Sequence, residues 1–435
     1  IYDKRAVRQD FHPHFTWHAA RYIEVTGYCH LTEFRVIQTD LKQITDFRCD
    51  NDTLQWIFDS YVKTQSANVH GCIPSDCPHR ERLGYTGDGQ LTCGAVMSVF
   101  DAKAMYKKWM ADIRDCQDKI GGHVQHTAPF YGGGGGPGGW GGAAVIVPYR
   151  YYKFYDDISV LAESYDSMKA YLRYMVNHCE DGIVTTEEKG GWCLGDWCPP
   201  KNDVKIPEPF VNTYFLAKCA EMTAETAEIL GFTDETETYK ELADNCRKAL
   251  VKHYFNEETE SFCDGTQGAD AFAIDIGIGT DITKKNLIEK YEKLGTFDTG
   301  IFGTDIVIRT LFNLGRGDIA FNLLTNEEES SFFNMKKHGA TTLWENWEGC
   351  DSRCHPMFGA VVEYFISHIL GIRRKNDKAG YKDIIIDPVY IPELKNVSGT
   401  LRTKWGNISV SITTDADGNK NVETEVTGNI SESFI

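Results

Sequence analysis

Two stretches far apart in the chain bring together residue types that do acid–base chemistry. The first runs Ser75-Asp76-Cys77-Pro78-His79-Arg80-Glu81-Arg82-Leu83-Gly84-Tyr85-Thr86-Gly87-Asp88-Gly89-Gln90 and sets three carboxylates and two guanidiniums within 13 positions. Pro78, Gly84 and Gly87 interrupt it, so a loop is expected rather than a solvated helix face. Arginines beside carboxylates can hold one acid ionised as an acceptor for a ligand hydroxyl while another, in a less polar pocket, has its pKa raised. A salt-bridged surface loop is the plainer alternative. The second stretch is Lys337-His338-Gly339-Ala340-Thr341-Thr342-Leu343-Trp344-Glu345-Asn346-Trp347-Glu348-Gly349. Here Glu345 stands between Trp344 and Trp347, a setting that desolvates a carboxylate and offers flat faces to the C–H side of a sugar ring. Two acids of this kind on one scaffold are what glycoside hydrolysis requires: one protonates the leaving oxygen and the other activates water. His355, ten residues beyond Glu345, is either placed to orient a hydroxyl or is a satisfied structural histidine.

A third stretch, Tyr131 to Ala143, is nearly all glycine around Trp140. It lacks a Gly-Lys-Ser/Thr ending, so it reads as a mobile loop presenting a tryptophan rather than a phosphate cradle. Gly190-Gly191-Trp192 and Leu194-Gly195-Asp196-Trp197 repeat the theme. Among the 14 cysteines, Cys72/Cys77, Cys193/Cys198 and Cys350/Cys354 are close in sequence. Only the last lies next to a histidine, where a structural zinc needs two ligand pairs, so buried free thiols are expected. No Asp-x-Asp-x-Asp-Gly loop occurs, and neither a metal nor a cofactor is expected.

The elements that must carry these stretches follow from composition and periodicity. The chain has 435 residues, 42% hydrophobic and 25% charged, which excludes disorder, collagen and coiled coil, and it exceeds what one core serves. A net charge of -18 disfavours nucleic acid or an anionic membrane as partner. The longest apolar run, 143–147, is too short for a membrane span. Short alternating segments at 15–17 and 21–26 read as the last strands of a β-domain or as linker strands, giving a first unit over 1–40. From 41 to 372 helical periods alternate with Gly- and Asp-rich loops, the arithmetic of a double ring of helices. Candidate helices include 52–61, 98–120, 166–179, 214–230, 236–254, 283–293, 304–325 and 358–370. Alternation returns in 382–388, 400–404, 408–412 and 422–426, with a turn at Asp417-Gly418, so 373–435 is expected to be a C-terminal antiparallel β-domain. The chain begins at Ile1 rather than Met, so neither a leader nor a compartment is legible.

Taken in order, Asp-Cys-Pro-His-Arg-Glu-Arg-Leu-Gly-Tyr-Thr-Gly-Asp, Gly-Gly-Trp-Gly, Gly-Asp-Trp, Gly-Ala-Thr-Thr-Leu-Trp-Glu-Asn-Trp and His355-Pro356-Met357-Phe358-Gly359 resemble the α-L-rhamnosidases of glycoside hydrolase family 78 over nearly the whole chain. The resemblance implies a mainly α protein: an (α/α)6 barrel catalytic domain, a C-terminal antiparallel β-sandwich and an N-terminal β remnant. It implies hydrolysis of terminal α-L-rhamnosides with inversion, Glu81 as general acid and Glu345 as general base. It also assigns Asp76, Arg80, Tyr85, Asp88, Trp140, Trp197, Trp344, Trp347 and His355 to the sugar pocket. The expected partner is a rhamnose-containing oligosaccharide, polysaccharide or glycoside, with the oligomeric state open. Inversion carries a geometric expectation, carboxyl groups about 6.5–9.5 Å apart. Two positions depart from the family: Tyr85 stands where Trp is usual, and Gly142 where Asp is common. A glycan-binding degenerate hydrolase and an (α/α) barrel hydrolase or lyase for another sugar are the alternatives. The family's chains are longer at the N-terminus, so this length reads as a catalytic portion.

Overall fold

The computed structural model describes residues 17–20, 22–27, 32–131, 137–185, 193–201, 204–415 and 419–434. Its helices are α1 (Asp52–Ala67), α2 (Thr86–Leu91), α3 (Cys93–Val99), α4 (Lys103–Cys116), α5 (Ala143–Tyr155), α6 (Ser159–Asn177), α7 (Glu208–Leu230), α8 (Thr233–Tyr254), α9 (Ala269–Asp275), α10 (Asp281–Leu294), α11 (Ile301–Asn313), α12 (Gly317–Thr325) and α13 (Phe332–Lys337). They alternate between two chemistries. In α4 the buried residues are Met105, Tyr106, Trp109, Met110 and Ile113, one stripe on a charged helix; α8 likewise buries Ala243, Cys246, Ala249 and Leu250. A one-sided stripe needs one neighbour, which makes these outer helices. By contrast α3 is buried at every position and α11 nearly so, and α5 and α7 over most of theirs, which requires neighbours on more than one side.

The inner helices meet in a closed ring: α3 packs on α5, α5 on α7, α7 on α9, α9 on α11, α11 on the segment Met357–Ile369, and that segment back on α3. With α1, α4, α6, α8, α10 and α12 outside, the architecture is the (α/α)6 barrel. Chemistry at the helix ends fixes the boundaries. Asn51 accepts from the Thr53 and Leu54 N–H groups at the start of α1, and Thr280 forms a capping box at α10. Gly231, at φ +84°, ends α7 in the left-handed region that favours glycine.

Within the helical body the structure departs from several of the expected elements. The expected helix 304–325 is two, broken at Gly315. The segment 358–370 is built of 3₁₀ and π turns rather than an α-helix. The expected loop 75–90 becomes helical at Thr86, because α2 is buried on all sides and its backbone polar groups must pair internally. The apolar run at 143–147 opens α5, an inner helix whose all-round burial erases the helical period.

The C-terminal region holds two sheets. One is antiparallel in the order Thr45–Cys49, Asn396–Thr403, Gly406–Thr414, Lys420–Val426. The other pairs Ile372–Arg374 antiparallel and Ser431–Phe434 parallel with Asp383–Ile386, so the antiparallel expectation fails for that last strand. The Asp417-Gly418 turn lies outside the described residues. Strand Thr45–Cys49 sits within the span read as barrel, yet it pairs with the tail, Phe47 opposite Gly399. Phe47 is fully buried against Phe58 of α1 and Phe365 of the inner ring, so one core runs from barrel to sheet. The expected strand at 21–26 is not formed among residues 22–27, and much of 15–17 lies outside the described residues. An extended segment becomes a strand only by pairing, and no described residue forms a ladder with 22–27.

Candidate active site

The connections of the double ring are unequal, and that inequality makes the site. Inner-to-outer turns such as 156–158, 231–232 and 314–316 are short, whereas the outer-to-inner connections 68–85, 117–142, 178–207 and 326–356 are long. Alternation puts all the long ones at one end of the barrel, the usual place for function on a rigid scaffold. Every residue assigned to the sugar pocket lies on one of these loops or on the inner elements they enter.

Arg80 stands at the centre. Its Nη2 donates to Glu345 at 2.9 Å (Oε2) and 3.2 Å (Oε1) and lies 3.4 Å from Glu81 Oε2, while Nη1 is 3.7 Å from Asp351. The carboxylate oxygens of Glu81 and Glu345 that share this nitrogen are therefore at most 6.3 Å apart, the sum of 2.9 and 3.4 Å. Glu345 is buried and accepts a third hydrogen bond from the Ser352 N–H at 3.0 Å, whereas the Glu81 side chain is 39% exposed. One acid is thus fixed and acceptor-only, the other reachable from solvent.

A second layer lies beneath. Asp88, on α2, bonds His355 Nε2 at 2.9 Å, and His355 Nδ1 is 3.7 Å from Glu345 Oε2. Burial works against a charge on His355, but Asp88, Glu345 and Asp76 together hold its pKa above the ordinary value. Asp76 is 1% exposed, accepts from the Leu83 N–H at 3.0 Å, and is pushed up to about 7, first by burial and then by Glu81. Tyr85 precedes α2 and faces the same acids: burial, then Glu81, Asp76 and Asp88, raise its hydroxyl to about 12. Asp76, Cys77 and Glu81 bring three ligand atoms within 4.8 Å of one another. A thiol beside two carboxylates, with no fourth ligand among the described residues, suits neither a closed zinc site nor an oxygen cage.

The tryptophans separate into two groups. Trp197 is 39% exposed on a cleft of about 470 Å³ that also meets Cys198, Asn346 and Asp351. Trp140 is buried on Gly87, where a Cβ would fall 2.4 Å from its ring, and edge-on to Phe302. Trp344 and Trp347 are not the sugar-facing walls their flanking of Glu345 suggests. Trp344 is covered by the Arg353 guanidinium and by Gly349. Trp347 is 1% exposed, stacked on Phe297, packed by Phe332 and Phe358, and anchored by its Nε1 to the Thr299 carbonyl. Both anchor the loop that carries Glu345. Arg82 turns away, its guanidinium over Trp17. A Cβ at position 142 would face Ile146 and Cys219, at 3.2 and 3.5 Å, so Gly142 looks into the packing of α5.

Three participants were not singled out from the sequence. Asp351 and Ser352, which meet Arg80 and Glu345, lie in the Cys350–Cys354 stretch, where only the cysteines and His355 were weighed. Asp196 was passed over for its neighbour Trp197, yet its carboxylate accepts from the Gly300, Phe302 and Gly303 N–H groups at 2.7, 2.9 and 3.0 Å and seats the start of α11. An Asp preceding no helix of its own gave no signal of capping one a hundred residues away.

A double ring of helices with paired acids on the long-loop end defines a six-hairpin glycosidase. The chain belongs to the family described as the bacterial alpha-L-rhamnosidase 6 hairpin glycosidase domain, whose model matches residues 42–369. It is 30% identical to an alpha-L-rhamnosidase of Formosa agariphila over 92% of this chain and 45% of that one, and 27% identical to one of Alteromonas sp. over 98% and 49%. Among solved structures, the alpha-L-rhamnosidase of Streptomyces avermitilis complexed with L-rhamnose superposes with a TM-score of 0.85 at 26% identity, covering 92% of this chain and 39% of that one. That of Dictyoglumus thermophilum gives 0.83 at 26%, over 92% and 46%. The chain spans less than half the length of these relatives.

Proposed function

We propose that this chain carries the catalytic centre of an inverting α-L-rhamnosidase, with residues 41–372 as the catalytic domain, Glu81 as general acid and Glu345 as general base. The observation that carries the reading is the arrangement around Arg80, whose Nη2 meets both a solvent-reachable acid, Glu81, and a buried, acceptor-only acid, Glu345. Glu81 protonates the leaving oxygen from the open side, and Glu345 takes a proton from the water that attacks the anomeric carbon. The two oxygens that share Arg80, at most 6.3 Å apart, fall short of the roughly 6.5–9.5 Å expected of an inverting pair, because Arg80 draws both carboxylates inward. A sugar hydroxyl that takes the guanidinium's hydrogen bonds releases them and makes room for the water. Asp76, Arg80, Tyr85, Asp88 and His355 hold the ring hydroxyls, Trp140 closes the floor, and Trp197 receives the group beyond the scissile bond.

The test is hydrolysis of 4-nitrophenyl α-L-rhamnoside followed by NMR of the first sugar released. β-L-rhamnose as first product supports inversion; the α anomer replaces it with a retaining mechanism, and binding without turnover replaces the enzyme with a glycan-binding protein. For a uronic-acid substrate the site would need a basic cluster, and of the two arginines in its first stretch only Arg80 faces the acids.

A further inference from the structure

Asp76 differs from the other acids of the site in what it lacks. Its Oδ1 accepts from the Leu83 N–H, but Oδ2 is buried with no donor. The atoms that Asp76, Cys77 and Glu81 offer one another lie within 4.8 Å. Ionised carboxylates only accept, so buried Asp76 and the more open Glu81 beside it have nothing to exchange unless one carries a proton. Leaving Oδ2 orphaned is costly, whereas a single proton satisfies it and removes the like-charge repulsion.

We propose that Asp76 and Glu81 hold one proton between them, and that Asp76 is the positioning residue that keeps Glu81 charged with the proton it delivers. This rests on the general-acid role proposed above for Glu81. Burial and the neighbouring Glu81 both strengthen the hold of Asp76 on this proton. The groups facing it are accounted for. Cys77, on the same loop, keeps its thiol proton because burial and Asp76 push its pKa up. Arg80 touches Glu81. The Cys77 thiol, by a hydrogen bond, lowers the affinity of Asp76 for its proton, as does His355 from the Glu345 loop, whereas Asp88 from α2 raises it. Burial joins Glu81 and Asp88 on the raising side, and Asp76 ends at about 7. When the leaving oxygen takes the shared proton, Asp76 and Glu81 are both left ionised and the aglycone departs protonated, while Glu345 holds the proton of the attacking water, so charge and protons balance.

The experiment is the pH dependence of kcat/KM for two substrates, phenyl and 2,4-dinitrophenyl α-L-rhamnoside. In Asp76→Asn the like charge is gone, Glu81 releases its proton more easily, and the alkaline limb for the phenyl substrate moves to lower pH by about one unit or more. The dinitrophenyl substrate, whose leaving group needs no proton, shows no such shift. An alkaline limb that stays put for phenyl rhamnoside while only KM rises overturns the proposal and leaves Asp76 a sugar ligand alone. Infrared difference titration of the wild-type chain gives a second readout that needs neither turnover nor a folded Asp76 variant. A protonated-carboxyl band persisting to near pH 7, and moved to lower pH by Glu81→Gln, supports the shared proton; its absence at pH 6 or indifference to Glu81→Gln overturns it. If neither rhamnoside is hydrolysed, the activity reading falls while the infrared titration still decides the pair.

Discussion

Arg80 ties the two acids together, yet their roles differ by exposure, and substitutions separate them. With Glu81 as the proposed general acid, Glu81→Gln is expected to lower turnover of phenyl α-L-rhamnoside by about 10²–10⁴-fold, while the dinitrophenyl substrate is little affected. With Glu345 as the proposed base, Glu345→Gln is expected to abolish both, since no leaving group spares the attack of water. Steady-state rates on the two substrates check the assignment, and near-wild-type rates for either variant remove that residue from the mechanism. Trp347 gives the opposite case, a residue beside the site whose work is packing. With its ring stacked on Phe297 and its Nε1 bonded to the Thr299 carbonyl, Trp347→Ala costs about 3–5 kcal/mol, read as a lowered denaturation midpoint. Rhamnose affinity in the remaining folded protein changes far less than for Trp197→Ala, whose half-open ring lines the cleft. Sequence could set both tryptophans beside a glutamate but could not say which ring faces solvent, because that depends on Phe297, Phe332 and Phe358 arriving from other elements.

The outer helices were legible because a half-buried helix keeps its 3.6-residue period, as α1, α4 and α8 do. The inner ones were harder for the same physical reason: α5 reads as an unbroken apolar run and α2 as a glycine-rich loop, since burial on all sides removes the contrast that periodicity measures. The acids were legible by residue type and local order, whereas the Asp196 contact to α11 exists only after the ring has closed. Burial pushes Asp196 up to about 6 although three backbone N–H groups pull it down. Its folded pKa is thus above the ordinary 3.8, so the folded chain binds this proton more tightly than the unfolded one. Its contribution is fully present below pH 4 and is lost as pH rises through 6. Urea unfolding of the wild type against Asp196→Asn at pH 4, 5, 6 and 7 checks the sign: the advantage of the wild type shrinks across that window, and a constant gap refutes the titration.

The molecule as a whole is one core, not a barrel with a detachable tail. Strand Thr45–Cys49 lies in a sheet whose remaining strands all follow residue 395, and Phe47 sits between that sheet and Phe58 and Phe365. Removing 373–435 therefore exposes Phe47 and leaves the strand with an open edge. Truncation at 372 is expected to give a chain that aggregates or loses its cooperative melting transition, checked by size-exclusion chromatography and calorimetry; a monomer with wild-type melting would show the tail to be dispensable. The pairing of the forty-fifth residue with the four-hundred-first also bears on how the protein is made. On the ribosome the first strand emerges hundreds of residues before its partner, and a non-local pairing of that span is slow to form. The nascent chain must keep an unpaired strand and the bare side of Phe47 out of other contacts until Asn396–Thr403 has been made, so a strand made early is completed late.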